Sequence, residues 1–354
     1  MPSIPIEIDE LTVEWVTTVL QAHAPGATVD GVEVLDRSSG TTGRARLGLR
    51  STDQRLPASV FVKLAPFTEE RRALVDMVGM GVSEARFYTD LAAEVPVRTP
   101  GVWHADHDAT GGYIMVLEDL TAAGATQPTQ EEPDAAEFAG QVMDALSAFH
   151  AEFHASPRFG AGGDLAWVEE RGRGYGAGDA LAFMAHAVAT IGDSMPPVFH
   201  ELAELYLANG DRVAALLAEG TPTLIHGDSH IGNMLRLDGV PVLLDWAMVS
   251  CAPGIRDVAY FVGNSIPPEV RREHEEALVR RYLAGLAARG VEVSFTEAWD
   301  GYRLHMIAGW IAAVSTAGMG DALQPLEIGM RATERSNMAI EDLGVIPLLR
   351  EALG

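Results

Sequence analysis

One polar loop between two apolar segments constrains the chain more than any other feature. The segment Leu224–Leu235 reads LIHGDSHIGNML and carries Asp228 and, five residues later, Asn233. The apolar run that follows ends in a second acid, Asp245. A carboxylate can orient and deprotonate an attacking hydroxyl group, and two oxygen ligands can hold a magnesium ion against a triphosphate. The pattern therefore predicts the chemistry of phosphoryl transfer.

The same loop resembles the catalytic loop of protein kinases, in which an Asp and an Asn have this spacing and a later Asp binds the metal. His-Gly-Asp at 226–228 stands where protein kinases have His-Arg-Asp, and Asp-Trp at 245–246 stands where they have Asp-Phe-Gly. With these departures the chain resembles the aminoglycoside phosphotransferase and choline kinase group, and it is also similar to the insect ecdysteroid kinases. The resemblance implies that Asp228 is the catalytic base and that Asn233 and Asp245 bind Mg²⁺.

The use of lysine supports this interpretation independently. Lysine and arginine together number 25, and Lys63 is the single lysine. It lies within the β-branched and aromatic run Ser59–Ala65, which predicts a strand with a charge at its centre. A compact ammonium group is not interchangeable with a guanidinium where it must fit between two phosphates. The resemblance implies that Lys63 binds the α- and β-phosphates of ATP and pairs with a helix glutamate. Glu84 is the best match, while Glu69 and Glu70 are weaker candidates at a predicted helix start.

A glycine- and hydroxyl-rich segment precedes the lysine strand and predicts a hairpin that covers phosphates. Such a hairpin offers backbone N–H groups that no large side chain obstructs. Its central residues are Gly40, Thr41, Thr42 and Gly43. The only lysine follows Val62, so the sequence contains no Gly-x-x-x-x-Gly-Lys motif and a P-loop enzyme is excluded.

A second apolar strand, at 112–120, marks the boundary between two predicted lobes. The resemblance implies that the backbone near its end contacts the adenine. The residues predicted to do so are Met115, Val116, Leu117 and Glu118. The predicted fold class is α+β, a bilobal protein-kinase-like fold with a small antiparallel-sheet N-lobe at 1–117. The larger, mainly helical C-lobe is predicted at 118–354, with ATP in the cleft.

Two histidine pairs have spacings that also suggest a metal site. His150 and His154 share a predicted helix face, but Ala151 stands where the zincin motif requires a glutamate, which favours packing or substrate contact. His226 and His230 flank the catalytic-loop acid, where the kinase interpretation explains more residues.

An aromatic stripe on a late helix bears on the acceptor. In the predicted helix 296–317, large apolar residues recur at three- and four-residue steps, namely Trp299, Tyr302, Met306 and Trp310. Such a stripe is usually part of a core. If it instead lines a cleft, it favours an acceptor with apolar or ring surface, such as a steroid or a macrolide.

The composition narrows the partners. A formal net charge of −25 argues against nucleic acids and anionic membranes, and it is compatible with a cationic acceptor such as an aminoglycoside. The single cysteine, Cys251, fits a reducing cytoplasm, and Met1–Glu7 has neither the basic region nor the apolar core of a signal peptide.

Together these features predict an ATP- and Mg²⁺-dependent kinase that phosphorylates an alcohol group of a small molecule. A protein substrate is not expected, because His-Arg-Asp, Asp-Phe-Gly and Ala-Pro-Glu are all missing from the sequence. The alternative is a non-catalytic nucleotide-binding regulator, a pseudokinase. The presence of all four core groups argues against it, namely Lys63, Asp228, Asn233 and Asp245. By resemblance, Asp257 on the helix after Asp245 braces the catalytic loop through hydrogen bonds.

Overall fold

An antiparallel sheet and a set of helices belong to two separate units of the chain. The computed structural model describes residues 3–69, 71–72, 79–129, 132, 134–168, 177–320 and 325–354. The first unit comprises Met1–Gln127 and Leu235–Met248, and the second comprises Pro128–Met234 and Val249–Gly354. The division of the chain at 117 and 118 into nucleotide-binding and catalytic lobes is a functional one and stays a prediction.

The first unit is built on a five-stranded antiparallel sheet with the strand order β1-β2-β3-β5-β4. The strands are β1 (Gly31–Ser39), β2 (Gly43–Arg50), β3 (Ser59–Leu64), β4 (Val102–His107) and β5 (Tyr113–Glu118). The same unit contains the helices α1 (Val13–Leu20) and α2 (Met80–Asp90). Short connections join β1 to β2, β2 to β3 and β4 to β5, as antiparallel pairing allows, whereas α2 lies in the longer connection from β3 to β4.

Alternation along β3 gives its two faces different environments. Val60, Val62 and Leu64 are fully buried in a core that includes Trp15 of α1. Each side chain of this size contributes roughly 1.5–3 kcal/mol when it is buried. Because successive side chains of a strand point to opposite faces, Lys63 projects away from this core.

The second unit is mainly helical. Its helices are α3 (Ala135–Glu152), α4 (Ala177–Ile191), α5 (Pro197–Leu217), α6 (Ile255–Ser265), α7 (Pro268–Ala287), α8 (Phe295–Gly318), α9 (Leu326–Asp342) and α10 (Val345–Leu353). Its strands are β6 (Pro222–Ile225) and β9 (Ser250–Pro253). The strand β8 (Val240–Leu243) and all but the first residue of β7 (Met234–Leu237) belong to the first unit. β6 pairs with β9, and β7 pairs with β8. The polar loop therefore begins where β6 ends.

The aromatic stripe lies on α8 and is part of the core of the second unit. Tyr302 and Trp310 are fully buried and Met306 is nearly so. The Trp310 indole N–H donates to Asn337 Oδ1 at 2.8 Å, and the Tyr302 hydroxyl donates to Glu275 Oε2 at 2.9 Å. The favoured interpretation of the stripe as core is thus confirmed for Tyr302, Met306 and Trp310, whereas Trp299 is half-buried.

The predicted α+β class, with a small antiparallel sheet and a larger helical part, is confirmed. Across the described part of the chain, none of the helices combines the length and the apolar character that a bilayer crossing requires.

Candidate active site

Lys63 occupies the middle of the sheet. Its cross-strand neighbours are Arg44 on β2 and Met115 on β5. Only 5% of its side chain is exposed. A buried ammonium group is costly unless it has a charged partner, so the surroundings of Lys63 must supply one.

Glu84 is that partner. It is completely buried on α2, and its Oε2 atom lies 2.5 Å from Lys63 Nζ. Burial raises the pKa of the Glu84 carboxyl to about 7, although the charge of Lys63 opposes this shift. Of the weaker candidates, Glu69 is exposed and Glu70 lies outside the described residues. The geometry therefore selects Glu84 over Glu69.

Asp245 faces the same ammonium group from the chain that follows β8. Its φ of 60° lies in the left-handed region, which residues other than glycine seldom adopt. Its Oδ1 atom is 3.2 Å from Lys63 Nζ, and its Oδ2 atom is 3.3 Å from Arg44 Nη2. Unfavourable backbone conformations of this kind cluster at functional sites.

Aromatic packing fixes Asp245 relative to the helix that carries Glu84. Trp246 is fully buried and stacks on Phe87 of α2, with ring centroids 4.0 Å apart and an interplanar angle of 5°. The Trp246 indole N–H donates to the carbonyl group of Leu243 at 3.3 Å. Because Phe87 lies one helical turn after Glu84, a single helix positions both acids.

The glycine- and hydroxyl-rich segment forms the turn between β1 and β2. The N–H of Gly40 donates to the carbonyl group of Thr42 at 3.0 Å, so the turn closes around Thr41. A Cβ atom at Gly43 would lie 2.5 Å from the carbonyl oxygen of Ala65, so only glycine permits this approach. That the turn covers phosphates stays a prediction.

The segment predicted to contact adenine is an interior part of the sheet. β5 lies between β3 and β4, which pair with Met115, Val116 and Leu117 from both sides. The N–H of Glu118 donates to the carbonyl group of Gly101 at 2.7 Å. The backbone groups that form these ladders are engaged within the sheet. That Met115, Val116, Leu117 and Glu118 contact adenine stays a prediction.

Asp228 lies in the second unit and is held from both carboxylate oxygens. The Tyr260 hydroxyl on α6 donates to Oδ1 at 2.6 Å. Asn233 Nδ2 donates at 2.9 Å both to Oδ2 and to the backbone carbonyl oxygen of Asp228. His230 Nε2 lies 3.6 Å from Oδ2. The carboxylate is therefore fixed in orientation.

These partners also fix its charge. Burial alone raises the pKa of Asp228, but His230, the Tyr260 hydrogen bond and His226 together hold it well below its ordinary value. At neutral pH the group is a carboxylate with 28% of its side chain exposed. It can therefore accept a hydrogen bond from a hydroxyl group that approaches from solvent.

Asp257, on α6, braces the start of the loop. Its Oδ2 atom accepts the N–H of His226 at 2.6 Å, and its Oδ1 atom accepts the N–H of Gly227 at 3.0 Å. His150 Nε2 lies 3.3 Å from the same carboxylate, while His150 Nδ1 lies 3.0 Å from the Tyr282 hydroxyl. The expected bracing bonds are present, and His150 serves packing within this network.

Two residues of these clusters, Tyr260 and Arg44, were not predicted from the sequence. Tyr260 lies three residues after Asp257, and helical spacing alone does not show that its hydroxyl reaches Asp228. Arg44 directly follows the glycine turn, and a basic residue at that place is a signal that could have been used.

Each of the two units offers an oxygen donor of a kind that suits a magnesium ion. The Asn233 amide nitrogen faces two acceptors on Asp228, which leaves Oδ1 as the free acceptor side of the amide. Asp245 offers carboxylate oxygens. Amide and carboxylate oxygens are ligands that Mg²⁺ prefers. Among the residues that the structure describes, no group of three or more His, Cys, Asp or Glu side chains could hold a metal ion.

Comparison with known structures shows the fold. Choline kinase from Cryptosporidium parvum Iowa II has a TM-score of 0.60 at 13% identity, with coverage of 96% of this chain and 99% of that chain. The gentamicin complex of APH(2″)-IIa has a TM-score of 0.53 at 12% identity, with coverage of 96% and 99%. The GDP complex of wild-type aminoglycoside 2′-phosphotransferase-IIIa has a TM-score of 0.52 at 14% identity, with coverage of 92% and 98%.

Comparison of sequences gives the family. No curated protein sequence matches the chain. The APH phosphotransferase enzyme family matches residues 48–303, which is more than half of the chain. The resemblance to aminoglycoside phosphotransferases and choline kinases is thereby confirmed, while the similarity to ecdysteroid kinases stays a prediction. The chain belongs to the phosphotransferase enzyme family, and it is a phosphotransferase with an alcohol group as acceptor.

Proposed function

We propose that this protein transfers the γ-phosphoryl group of ATP to a hydroxyl group of a small molecule. One observation carries the nucleotide part of the proposal, namely the cluster of Lys63, Glu84 and Asp245 within the first unit. An ammonium group is held there between a buried acid at 2.5 Å and a second acid at 3.2 Å. Such a group is positioned to meet phosphates rather than to fill a core.

The nucleotide is held by this chain's own groups in distinct roles. Lys63, oriented by Glu84, contacts the α- and β-phosphates, and the turn Gly40–Gly43 covers them with backbone N–H groups. Asp245 and Asn233 supply oxygen ligands for Mg²⁺, which neutralises charge on the β- and γ-phosphates when it is bound.

Asp228 acts on the acceptor. The acceptor oxygen attacks the γ-phosphorus, the bond from that phosphorus to the bridging oxygen of ADP breaks, and the hydroxyl proton passes to the Asp228 carboxylate. Because its pKa is low, Asp228 acts mainly by orienting the hydroxyl group and takes the proton late. Tyr260 and Asn233 keep the carboxylate in place for this step.

The acceptor class follows from the relatives and from charge. The similar proteins include a choline kinase and an enzyme bound to gentamicin. Choline and gentamicin are both cationic alcohols, and a chain with a net charge of −25 attracts such molecules. We therefore place cationic alcohols first among the acceptors, and we place the protein in the cytoplasm with no nucleic acid, membrane or protein substrate.

A coupled assay of ADP release tests the function. The purified protein with MgATP is screened against choline, gentamicin, other aminoglycosides, macrolides and hydroxylated steroids, and mass spectrometry identifies the phosphorylated product. Acceptor-dependent ADP release with a matching product supports the proposal. Tight MgATP binding without transfer to any acceptor supports the pseudokinase alternative instead.

A further inference from the structure

The Asp245 carboxylate is contacted by two cations of this chain, and the second one has no assigned role. Lys63 Nζ lies 3.2 Å from Oδ1, and Arg44 Nη2 lies 3.3 Å from Oδ2. Arg44 and Lys63 are direct cross-strand partners on β2 and β3. Their side chains therefore leave the sheet on the same face and reach the same acid.

Arg44 is also tied to the glycine turn. It follows Gly43 directly, and its Nε–H donates to Thr42 Oγ1 at 3.3 Å. Thr42 is buried, so it anchors the base of the arginine side chain. The next residue on the same face of β2, Arg46, is engaged elsewhere, with Asp119 at 2.9 Å. Arg44 thus belongs to the predicted phosphate site and not to a general belt of surface ion pairs.

The two cations are held with different strength. Lys63 is 5% exposed and has the buried Glu84 at 2.5 Å as a further partner. Arg44 is 38% exposed, and Asp245 is its only ion-pair partner within the described residues. A divalent cation at Asp245 adds two positive charges beside both groups, and like charges at this distance repel. The less firmly held group, Arg44, is the one that yields.

We propose that Arg44 alternates between two anions. It neutralises Asp245 until a divalent cation binds there, and it then turns to the terminal phosphates of the nucleotide. A guanidinium suits the second role because it donates to phosphate oxygens through a planar fork. This inference rests on the proposed nucleotide function and adds to it a phosphate-binding arginine that competes with the metal.

In the variant Arg44→Gln we expect the affinity for Mn²⁺ to rise and the affinity for ADP to fall. Arg44→Gln removes the competitor for Asp245, so Mn²⁺ without nucleotide should bind about 1.5- to 5-fold more tightly, the range for a partly exposed ion pair. Mn²⁺ reports on the site because carboxylate and carbonyl oxygens suit Mg²⁺ and Mn²⁺ alike. At saturating Mg²⁺ the same variant loses a phosphate contact, so its affinity for ADP should fall about tenfold while its affinity for AMP changes little.

Three variants make the comparison decisive. Mn²⁺ binding is followed by electron paramagnetic resonance, and ADP and AMP binding by calorimetry, in wild type, Arg44→Gln, Arg44→Lys and Arg37→Gln. Arg37 is exposed on β1 of the same sheet, and its replacement removes the same charge. Arg44→Lys should keep Mn²⁺ affinity near the wild-type value, because a cation remains beside Asp245, and should lose part of the ADP affinity.

Tighter Mn²⁺ and weaker ADP in Arg44→Gln alone support the proposal. Weakening of both ligands shows a structural role, and the absence of both changes shows that Arg44 is an ordinary surface residue, so either outcome overturns it. If wild type itself binds no ADP, the proposed nucleotide function fails, and the phosphate role of Arg44 fails with it. The Mn²⁺ measurement then still reports whether Arg44 competes at Asp245.

Discussion

The hydrogen bond from Tyr260 to Asp228 allows the effect of Tyr260→Phe on kcat to be predicted. At 2.6 Å it is a short bond to a charged acceptor, and removal of such a bond costs about 1.5–3 kcal/mol. The Asp228 side chain is 28% exposed, so water replaces part of the lost bond and the lower limit applies. Since about 1.4 kcal/mol corresponds to a factor of ten, Tyr260→Phe should lower kcat about tenfold.

The cause of this loss is orientation rather than charge. Without the hydroxyl group, Oδ2 of Asp228 keeps its bond to Asn233, but the carboxylate can turn about that bond. The pKa of Asp228 rises when a donor is lost, yet it starts well below its ordinary value. The group therefore stays ionised at neutral pH, and MgADP affinity should remain at the wild-type value.

The assay is acceptor-dependent ADP release at saturating MgATP, with MgADP affinity measured in parallel. Tyr206→Phe is the matched control, because Tyr206 is a buried tyrosine of α5 in the same unit. A kcat of Tyr260→Phe within twofold of the wild-type value refutes the assignment of Tyr260 as a positioning residue. Loss of MgADP binding in the folded variant refutes it equally, because the hydroxyl then serves the nucleotide.

Three further variants test the first unit. Lys63→Arg should reduce turnover, measured by ADP release, on the order of 10²-fold. It should also lower the free energy of unfolding, measured by denaturant titration, by about 1–3 kcal/mol, because the larger side chain overpacks the site. The control Arg37→Lys should change neither quantity. Asp245→Ala should abolish the Mg²⁺ dependence of ADP binding in calorimetry, while ADP without Mg²⁺ binds at least as well, because Lys63 loses a competing acid. In wild type, turnover should rise as the pH increases through about 7, because Glu84 ionises there and then orients Lys63. Glu84→Gln should turn over more slowly and lack this rise. A Glu84→Gln variant with the same pH profile as wild type would contradict the role of the Lys63–Glu84 pair.

The contacts that could be expected from sequence lie within short motifs. Asp228 and Asn233 share one loop, and their contact at 2.9 Å follows from a spacing of five residues. Lys63 could be placed on a strand because the alternation around it fixes which face it occupies. Glu84 could not be chosen over Glu69 from sequence alone, because the 2.5 Å contact of Glu84 with Lys63 depends on where α2 packs.

The features that sequence did not predict depend on contacts between distant segments. Tyr260 reaches Asp228 only because α6 packs beside the polar loop, and Arg44 reaches Asp245 across 201 positions of sequence. The segment Met115–Leu117 was predicted as part of an apolar strand, and β5 confirms this. Its position between β3 and β4 depends on strand order, which no local pattern encodes.

Substitution of Asp228 tests whether this carboxylate serves phosphoryl transfer and not nucleotide binding. Asp228→Asn keeps the shape of the side chain and removes its charge, and a positioned base is worth about 10²- to 10⁴-fold in rate. Asp238→Asn is the control, because Asp238 is exposed in a turn with a φ of 51°, a conformation that asparagine also adopts.

The measurement is MgATP affinity by calorimetry together with single-turnover transfer to the identified acceptor. We expect Asp228→Asn to bind MgATP with near-wild-type affinity and to lose transfer by at least 10²-fold, while Asp238→Asn retains both. Transfer at the wild-type rate in folded Asp228→Asn would show that the Asp228 carboxylate is not needed for phosphoryl transfer.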